Sequence, residues 1–192
     1  MLKRRFLFYL SKWINPVMVG RYKRFDGTVL PLTRICSSTF LQGEKNFHVE
    51  DNVYIGHSNF IDASNGLTIE EGCQITNFVS IITHSSHDAI RLYGKHYTFT
   101  PNKLAYNEGK VKIGKYSFIG PHAVIMPGTT IGKGSLVSAY SFVKGSFPDY
   151  AIISGNPAII VGDTRDRDDK WLADHEDLKT NYQSWNEQGN EE

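Results

Sequence analysis

Between residues 84 and 110 the chain gathers His84, His87, Arg91, Tyr93, His96, Tyr97 and Tyr106. Imidazole has an unperturbed pKa near ~6.5, so it exchanges protons at neutral pH and suits work as a general base. A polar, aromatic stretch of this length inside a compact domain is usually functional. The two cysteines, Cys36 and Cys73, lie far apart and match no metal or redox spacing. They read as small buried hydrophobes of a reducing compartment. His84 and His87 lie three apart with no third histidine at a matching distance, so no metal site is expected.

The elements that must hold these residues announce themselves by an unusual period. From Ile113 an aliphatic residue recurs every six positions: Ile113, Ile119, Ile125, Ile131, Val137 and Val143. Four places after each of the first five stands a smaller residue: Ser117, Ala123, Thr129, Ser135 and Ser141. A helix needs a period near ~3.6 and a half-buried strand a period of ~2. Six suits a chain that turns a corner after each short strand and points one aliphatic side chain inward per face. That is the hexapeptide pattern of a parallel β-helix.

An earlier block contains Val49, Ile55 and Ile61, preceded less clearly by Ile35 and Leu41. The phase slips by two residues at Asn65-Gly66 and resumes at Ile69, Ile75 and Ile81. Residues 84–110 break the pattern. Three hexads make a triangular coil of ~18 residues, and coils stack at ~4.8 Å, which gives about five coils. Residues 1–34 are expected to form an N-terminal helix and cap, the helix ending near Asn15-Pro16. Residues 35–162 form the β-helix domain. Residues 163–192 carry a helix over Lys170 to Tyr182 and a disordered acidic tail.

Net charge is +1 over 192 residues, with 40% hydrophobic and 21% charged residues. That excludes a globally basic nucleic-acid binder and suits one domain with a sizeable core. No apolar run reaches the ~18 residues of a membrane span. The start, Lys3-Arg4-Arg5 followed by Phe6-Leu7-Phe8-Tyr9-Leu10, resembles a signal peptide only faintly, so a cytoplasmic protein is expected. Basic residues beside aromatics there also suit peripheral contact with an anionic membrane.

The runs Val111-Lys112-Ile113-Gly114-Lys115-Tyr116-Ser117-Phe118-Ile119-Gly120-Pro121-His122 and Ile125-Met126-Pro127-Gly128-Thr129-Thr130-Ile131-Gly132 resemble the hexapeptide-repeat acyltransferase superfamily. So does Ile153-Ser154-Gly155-Asn156-Pro157-Ala158. The resemblance is greatest to the maltose/galactoside and colanic-acid O-acetyltransferase branch of bacterial polysaccharide pathways. It implies an all-β, left-handed parallel β-helix, a homotrimer, acetyl-CoA as donor, a sugar or glycan acceptor, and a site between subunits. The left hand is a property of that family, against the usual right-handed crossover. Zinc hydration on the same prism would need paired histidines five apart, a spacing absent here. N-acetylation of a nucleotide-linked amino sugar and a non-catalytic scaffold are the alternative functions.

The same resemblance names the candidate residues. The family's catalytic histidine follows a strand in a Thr-x-x-His-Asp-like context, and here the segment reads Thr83-His84-Ser85-Ser86-His87-Asp88. His87 is the closest match and His84 the rival. Asp62 stands where relatives carry an Asn or Asp that contacts the acceptor or orients the histidine; the alternative is a carboxylate bonding its own turn. Gly120, Pro121 and Ala139 fall on positions that line the pantetheine arm, and Lys144-Gly145 on a position that meets CoA phosphate. The basic residue expected after Asn156-Pro157-Ala158 is replaced by Ile159 and Ile160, leaving Arg165 or Arg167 for that role. Tyr93, Tyr97, Phe99 and Tyr106 suit stacking on a pyranose.

Overall fold

The computed structural model describes residues 15–186. Its body is a three-faced prism of short parallel strands. Face A carries β2 (Val29–Cys36), β5 (Tyr54–Ile55), β8 (Gln74–Ile75), β13 (Phe118–Ile119), β16 (Leu136–Val137) and β19 (Ala151–Gly155). Face B carries β3 (Phe40–Gln42), β6 (Phe60–Asp62), β9 (Ser80–Ile81), β14 (Val124–Ile125) and β17 (Phe142–Val143). Face C carries β4 (Phe47–Val49), β7 (Leu67–Ile69), β12 (Val111–Ile113), β15 (Thr130–Ile131) and β18 (Ser146–Phe147).

The register explains the hexads. Ile55 pairs with Ile75, Ile75 with Ile119, and Ile119 with Val137, so each inward side chain packs on its equivalent in the next coil. These residues are fully buried and form one continuous core. The small residues four places on are buried at the corners. Their hydroxyls donate to backbone carbonyls that the corners would otherwise strand: Ser117 to Gly132 at 2.9 Å, Thr129 to Met126 at 2.7 Å.

The chain holds six residues between inward positions at two of the three corners in every coil. From face A to B these are Ile35 to Leu41, Ile55 to Ile61, Ile75 to Ile81, Ile119 to Ile125 and Val137 to Val143. At the corner from face B to C, the second corner, the step changes with each coil: Leu41 to Val49, Ile61 to Ile69, Ile81 to Ile113, Ile125 to Ile131, Val143 to Phe147. The long step contains the 84–110 insertion, after which β12 returns to register with β7 and Val111 faces Leu67.

That insertion is ordered. β10 (His84–Ser85) and β11 (Asn107–Glu108) pair antiparallel as its stalk. Between them come α1 (Ala89–Tyr93) and a 3-10 turn over Gly94–Phe99. Tyr93 Oη accepts from the backbone N–H of Leu104 at 2.8 Å, and Asn107 Nδ2 donates to Asp88 Oδ2 at 3.0 Å.

Both ends of face A are closed by antiparallel partners, β1 (Met18–Lys23) on β2 and β20 (Ala158–Asp163) on β19. Residues 15–20 are therefore not helical. The remainder of the expected N-terminal helix and its membrane contact fall on residues 1–14, outside the described residues, as does the tail 187–192. Asp26-Gly27, a recognised hairpin turn pair, is the signal for the first hairpin. Among the described residues no helix is long and apolar enough to cross a membrane.

The single C-terminal helix expected over Lys170 to Tyr182 is two: α2 (Arg165–Leu172) and α3 (Glu176–Asn186). Asp174, Glu176 and Asp177 account for the break, since carboxylates are unfavourable at the end of one helix and favourable at the start of the next. Trp171 is largely exposed, whereas Trp185 stacks 4.8 Å from the Tyr116 ring and 6.3 Å from Tyr150. It thereby ties α3 to the corner from face C to A.

Ile119→Ala is expected to cost about 3 kcal/mol, as removal of a buried aliphatic side chain does. Thr130→Ala, on the outward side of face C, should stay within about 0.5 kcal/mol. Urea denaturation of the two variants checks the register; equal losses would contradict it.

Candidate active site

Asp62 ends β6 at the second corner, where two residues more than a hexad separate Ile61 from Ile69. The additional length lets the turn fold back. The backbone N–H of Ser64 donates to Asp62 Oδ1 at 2.9 Å. The other oxygen faces the next coil: Oδ2 accepts from Thr83 N at 3.0 Å and Thr83 Oγ1 at 2.8 Å. His84 Nδ1 lies 2.7 Å from the same oxygen. Asp62 thus bonds its own turn and orients a histidine at once, and the two alternatives hold together.

The Asp62 side chain is 1% exposed. Burial alone would raise its pKa, but hydrogen bonds from Ser64 and Thr83 outweigh burial and hold it down at about 2. At neutral pH it is a carboxylate that only accepts, so the proton between Asp62 and His84 sits on Nδ1. His84 Nε2 then carries a lone pair, and among the described residues no group bonds it. The imidazole is partly exposed, and its ring is stacked on Tyr106 at 5.6 Å and 18°. The result is an oriented imidazole with one nitrogen anchored and the other open.

His87 stands differently. Its Nδ1 is hydrogen-bonded to Ser85 Oγ at 2.7 Å, and its Nε2 has Asp88 Oδ2 as a neighbour at 3.3 Å, on its own loop rather than on a coil. It is more than half exposed, and its partner Asp88 also binds Arg91 at 2.5 Å. Arg91 additionally donates to the His87 carbonyl. The geometry favours His84 where the motif favours His87. The motif reads distance along the chain, whereas the carboxylate that fixes the ring comes from the preceding coil.

Thr83 stands in the motif without a role of its own, yet it completes the corner. Its Oγ1 accepts from Asn65 N at 3.0 Å while donating to Asp62. Only stacking of the coils brings Asn65, Asp62 and Thr83 together.

The residues expected to line CoA occupy other places. Gly120 and Ala139 stack on successive coils at the corner from face A to B; a Cβ on Gly120 would come 2.7 Å from Ala139 N. Close coil packing therefore already requires that glycine. Pro121 precedes His122, whose ring lies between Phe78 at 4.9 Å and Tyr140 at 4.7 Å. Lys144 and Gly145 lie at the second corner, two coils beyond His84, and Lys144 is exposed. Gly145 has φ +117°, and an added Cβ would meet nothing within 4 Å. A single chain does not gather Gly120, Pro121 and Ala139 around His84, because the width of face B separates the first corner from the second.

Arg165 makes a two-pronged ion pair with Asp163, at 3.0 Å from Nε to Oδ1 and 2.6 Å from Nη2 to Oδ2. Cys36 is buried with Sγ 3.1 Å from His57 Nδ1, and Cys73 is buried with its thiol pushed up to about 12 by desolvation. Among the described residues no group of three or more His, Cys, Asp or Glu converges as for a metal ion.

Residues 110–145 match the family described as bacterial transferase hexapeptide (six repeats). The chain is 30% identical over 125 residues to the galactoside O-acetyltransferase of Escherichia coli (strain K12), covering 64% of this chain and 57% of that protein. It is 30% identical over 113 residues to the protein of the same strain named "putative lipopolysaccharide biosynthesis O-acetyl transferase WbbJ", covering 58% and 57%. The chain thus spans somewhat more than half the length of these curated relatives. Among solved structures, a galactoside acetyltransferase in complex with coenzyme A superposes with a TM-score of 0.51 at 24% identity, covering 68% of this chain and 62% of that one. That likeness shows the fold, the left-handed β-helix of hexapeptide-repeat acetyltransferases.

The Asp62 carboxyl makes a pH prediction. Its folded pKa lies below the ordinary 3.8, so the unfolded chain takes up its proton first as the solution is acidified. Its contribution to stability is complete above the ordinary value and is lost as pH falls through about 2. Asp62→Asn should therefore lose less stability than the wild type between those two values, measured by urea unfolding at each pH. Equal losses would show that the carboxylate is not held as described.

Proposed function

Taking this hexapeptide-repeat chain as a relative of sugar O-acetyltransferases, we propose that it transfers acetyl from acetyl-CoA to a hydroxyl of a sugar or glycan intermediate in bacterial surface polysaccharide synthesis. The observation that carries this reading is the His84–Asp62 pair at 2.7 Å, with the second imidazole nitrogen open beside Tyr106.

An alcohol is a weak nucleophile at neutral pH, and its proton must leave as the new C–O bond forms. His84 Nε2 takes that proton, and the Asp62 carboxylate beside Nδ1 stabilises the imidazolium that results. His84 then returns the proton to the departing sulfur, so no proton is gained or lost by the protein. Acetyl-CoA, when bound, supplies the activated acyl group. Neither cysteine takes part: both are buried, and the chemistry calls for no covalent intermediate on the protein.

The chain offers fitting contacts for that donor. Backbone is open at Gly128 and Gly145, where a Cβ would meet nothing within 4 Å, and Lys144 supplies a cation for phosphate. Gly120, Pro121 and Ala139 lie a face away from His84, so a neighbouring subunit is required to bring such an edge to the imidazole. Face B suits contact with a neighbour: Phe40 and Phe60 stack at 5.5 Å on its outer side, 57% and 43% exposed. The working assembly is a homotrimer, and the place of action is the cytoplasm, where the donor is made.

His84→Ala is expected to lower kcat by roughly 10²–10⁴ in a thiol-release assay with acetyl-CoA and sugar acceptors. His87→Ala should leave kcat within a few-fold. Asp62→Asn should lower kcat at least about tenfold with the oligomer intact, because the ring loses the partner that fixes its tautomer. A greater loss for His87→Ala than for His84→Ala would reverse the assignment.

A further inference from the structure

Beside the His84–Tyr106 stack lies a cavity of about 460 Å³ lined by Tyr97, Asn102, Lys103, Tyr106 and Glu108. Tyr106 both lines it and stacks on the His84 imidazole at 5.6 Å, so one ring links the cavity to the histidine. Lys103 is the half-buried charge of this cavity. Its ammonium donates to the Thr100 carbonyl at 2.6 Å and stands 4.6 Å from the Tyr97 ring centroid. Among the described residues no carboxylate reaches ion-pair distance of it. A partly desolvated cation without a counter-charge gains more from an anion than an exposed one does.

The surrounding loop has the same bias. Residues 84–110 hold Arg91, Lys95, Lys103 and Lys110 against Asp88 and Glu108, in a chain whose formal net charge is +1. Asp88 is already bound to Arg91 and Asn107. Glu108 is exposed, on the strand residue that pairs with His84, where it is placed to accept hydroxyls. Tyr97 and Tyr106 supply aromatic surface for the apolar side of a sugar ring.

We propose that this cavity binds an acidic sugar, one bearing a carboxylate or a phosphate, with Lys103 as the residue that selects for the anion. The proposal rests on the acetyltransferase reading for its meaning, but the binding itself does not depend on turnover. Two sources of the negative charge are open, a uronic acid or a sugar phosphate, and the test separates them.

Isothermal titration calorimetry of the full-length protein with D-glucuronate, D-glucose 1-phosphate and D-glucose, without acetyl donor, reads the site directly. One of the two acids should bind at least about tenfold tighter than glucose, and which one does identifies the anion. Lys103→Met should remove that preference and Lys103→Arg should retain it. A merely structural role of Lys103 in bracing the loop would weaken all three sugars together and leave their ratios unchanged. Equal affinities, no binding of either acid, or an acid preference that survives Lys103→Met would overturn the proposal. Thiol release measured with the same sugars tests the parent reading separately. An acid preference dependent on Lys103 with no acetyl transfer to any sugar would leave the anion site standing and remove the enzyme.

Discussion

The register of the inward aliphatic ladder constrains everything else in this molecule. Each coil must return a large apolar side chain to the same place on each face, because a shift of one residue would turn the inward set outward. Two corners meet that demand with an invariant step of six residues. The second corner alone changes length, from eight residues in the first two coils to the full insertion in the third and to four in the last. Variation is confined to one edge of the prism, and the polar chemistry is on that edge.

The Asp62–His84 pair follows from this. Asp62 is fixed by a turn two residues longer than a hexad, and His84 is the first residue of the stalk that leaves the next coil at the same corner. Their distance is therefore set by the stacking of coils rather than by the loop. Thr83 makes the link rigid: one hydroxyl bonds the carboxylate of the coil below and accepts from Asn65 of the same turn. Burying a carboxylate costs several kcal/mol unless it is bonded, and here four contacts on two oxygens meet that demand.

Much of this was legible from the chain alone, for physical reasons. The hexads from Ile113 to Val143, the slip at Asn65-Gly66 and the break at 84–110 record the inward ladder directly, since burial selects residue type at each step. The steps from Leu41 to Val49 and from Val143 to Phe147 were not read, because a turn that lengthens or shortens leaves no periodic trace. The terminal hairpins were missed for a related reason: β1 and β20 pair antiparallel outside the repeat and obey no hexad. His84 and His87 both stood out, but the choice between them depends on a carboxylate 22 residues upstream that only coil stacking delivers. Trp185 was not singled out, since its partners Tyr116 and Tyr150 belong to other coils.

The three corners end up chemically distinct although one repeat builds them all. At the first, Phe78, His122 and Tyr140 adopt positive φ, which costs a bulky residue of the order of 1 kcal/mol or more. Their coplanar stacking at 4.7–4.9 Å returns a comparable amount, about 0.5–1.5 kcal/mol per pair. At the third, Tyr116 and Tyr150 occupy the same left-handed conformation, but their rings serve as the seat for Trp185 of α3. The second corner escapes that pattern because its length is free, and so it can carry a buried carboxylate and an insertion instead of a ring. The loop is thereby relieved of holding the imidazole in place. Its own residues, Tyr97, Lys103 and Tyr106 among them, line the cavity beside the His84–Tyr106 stack. Rigid coils position the Asp62–His84 pair, and the variable corner supplies the loop that surrounds it.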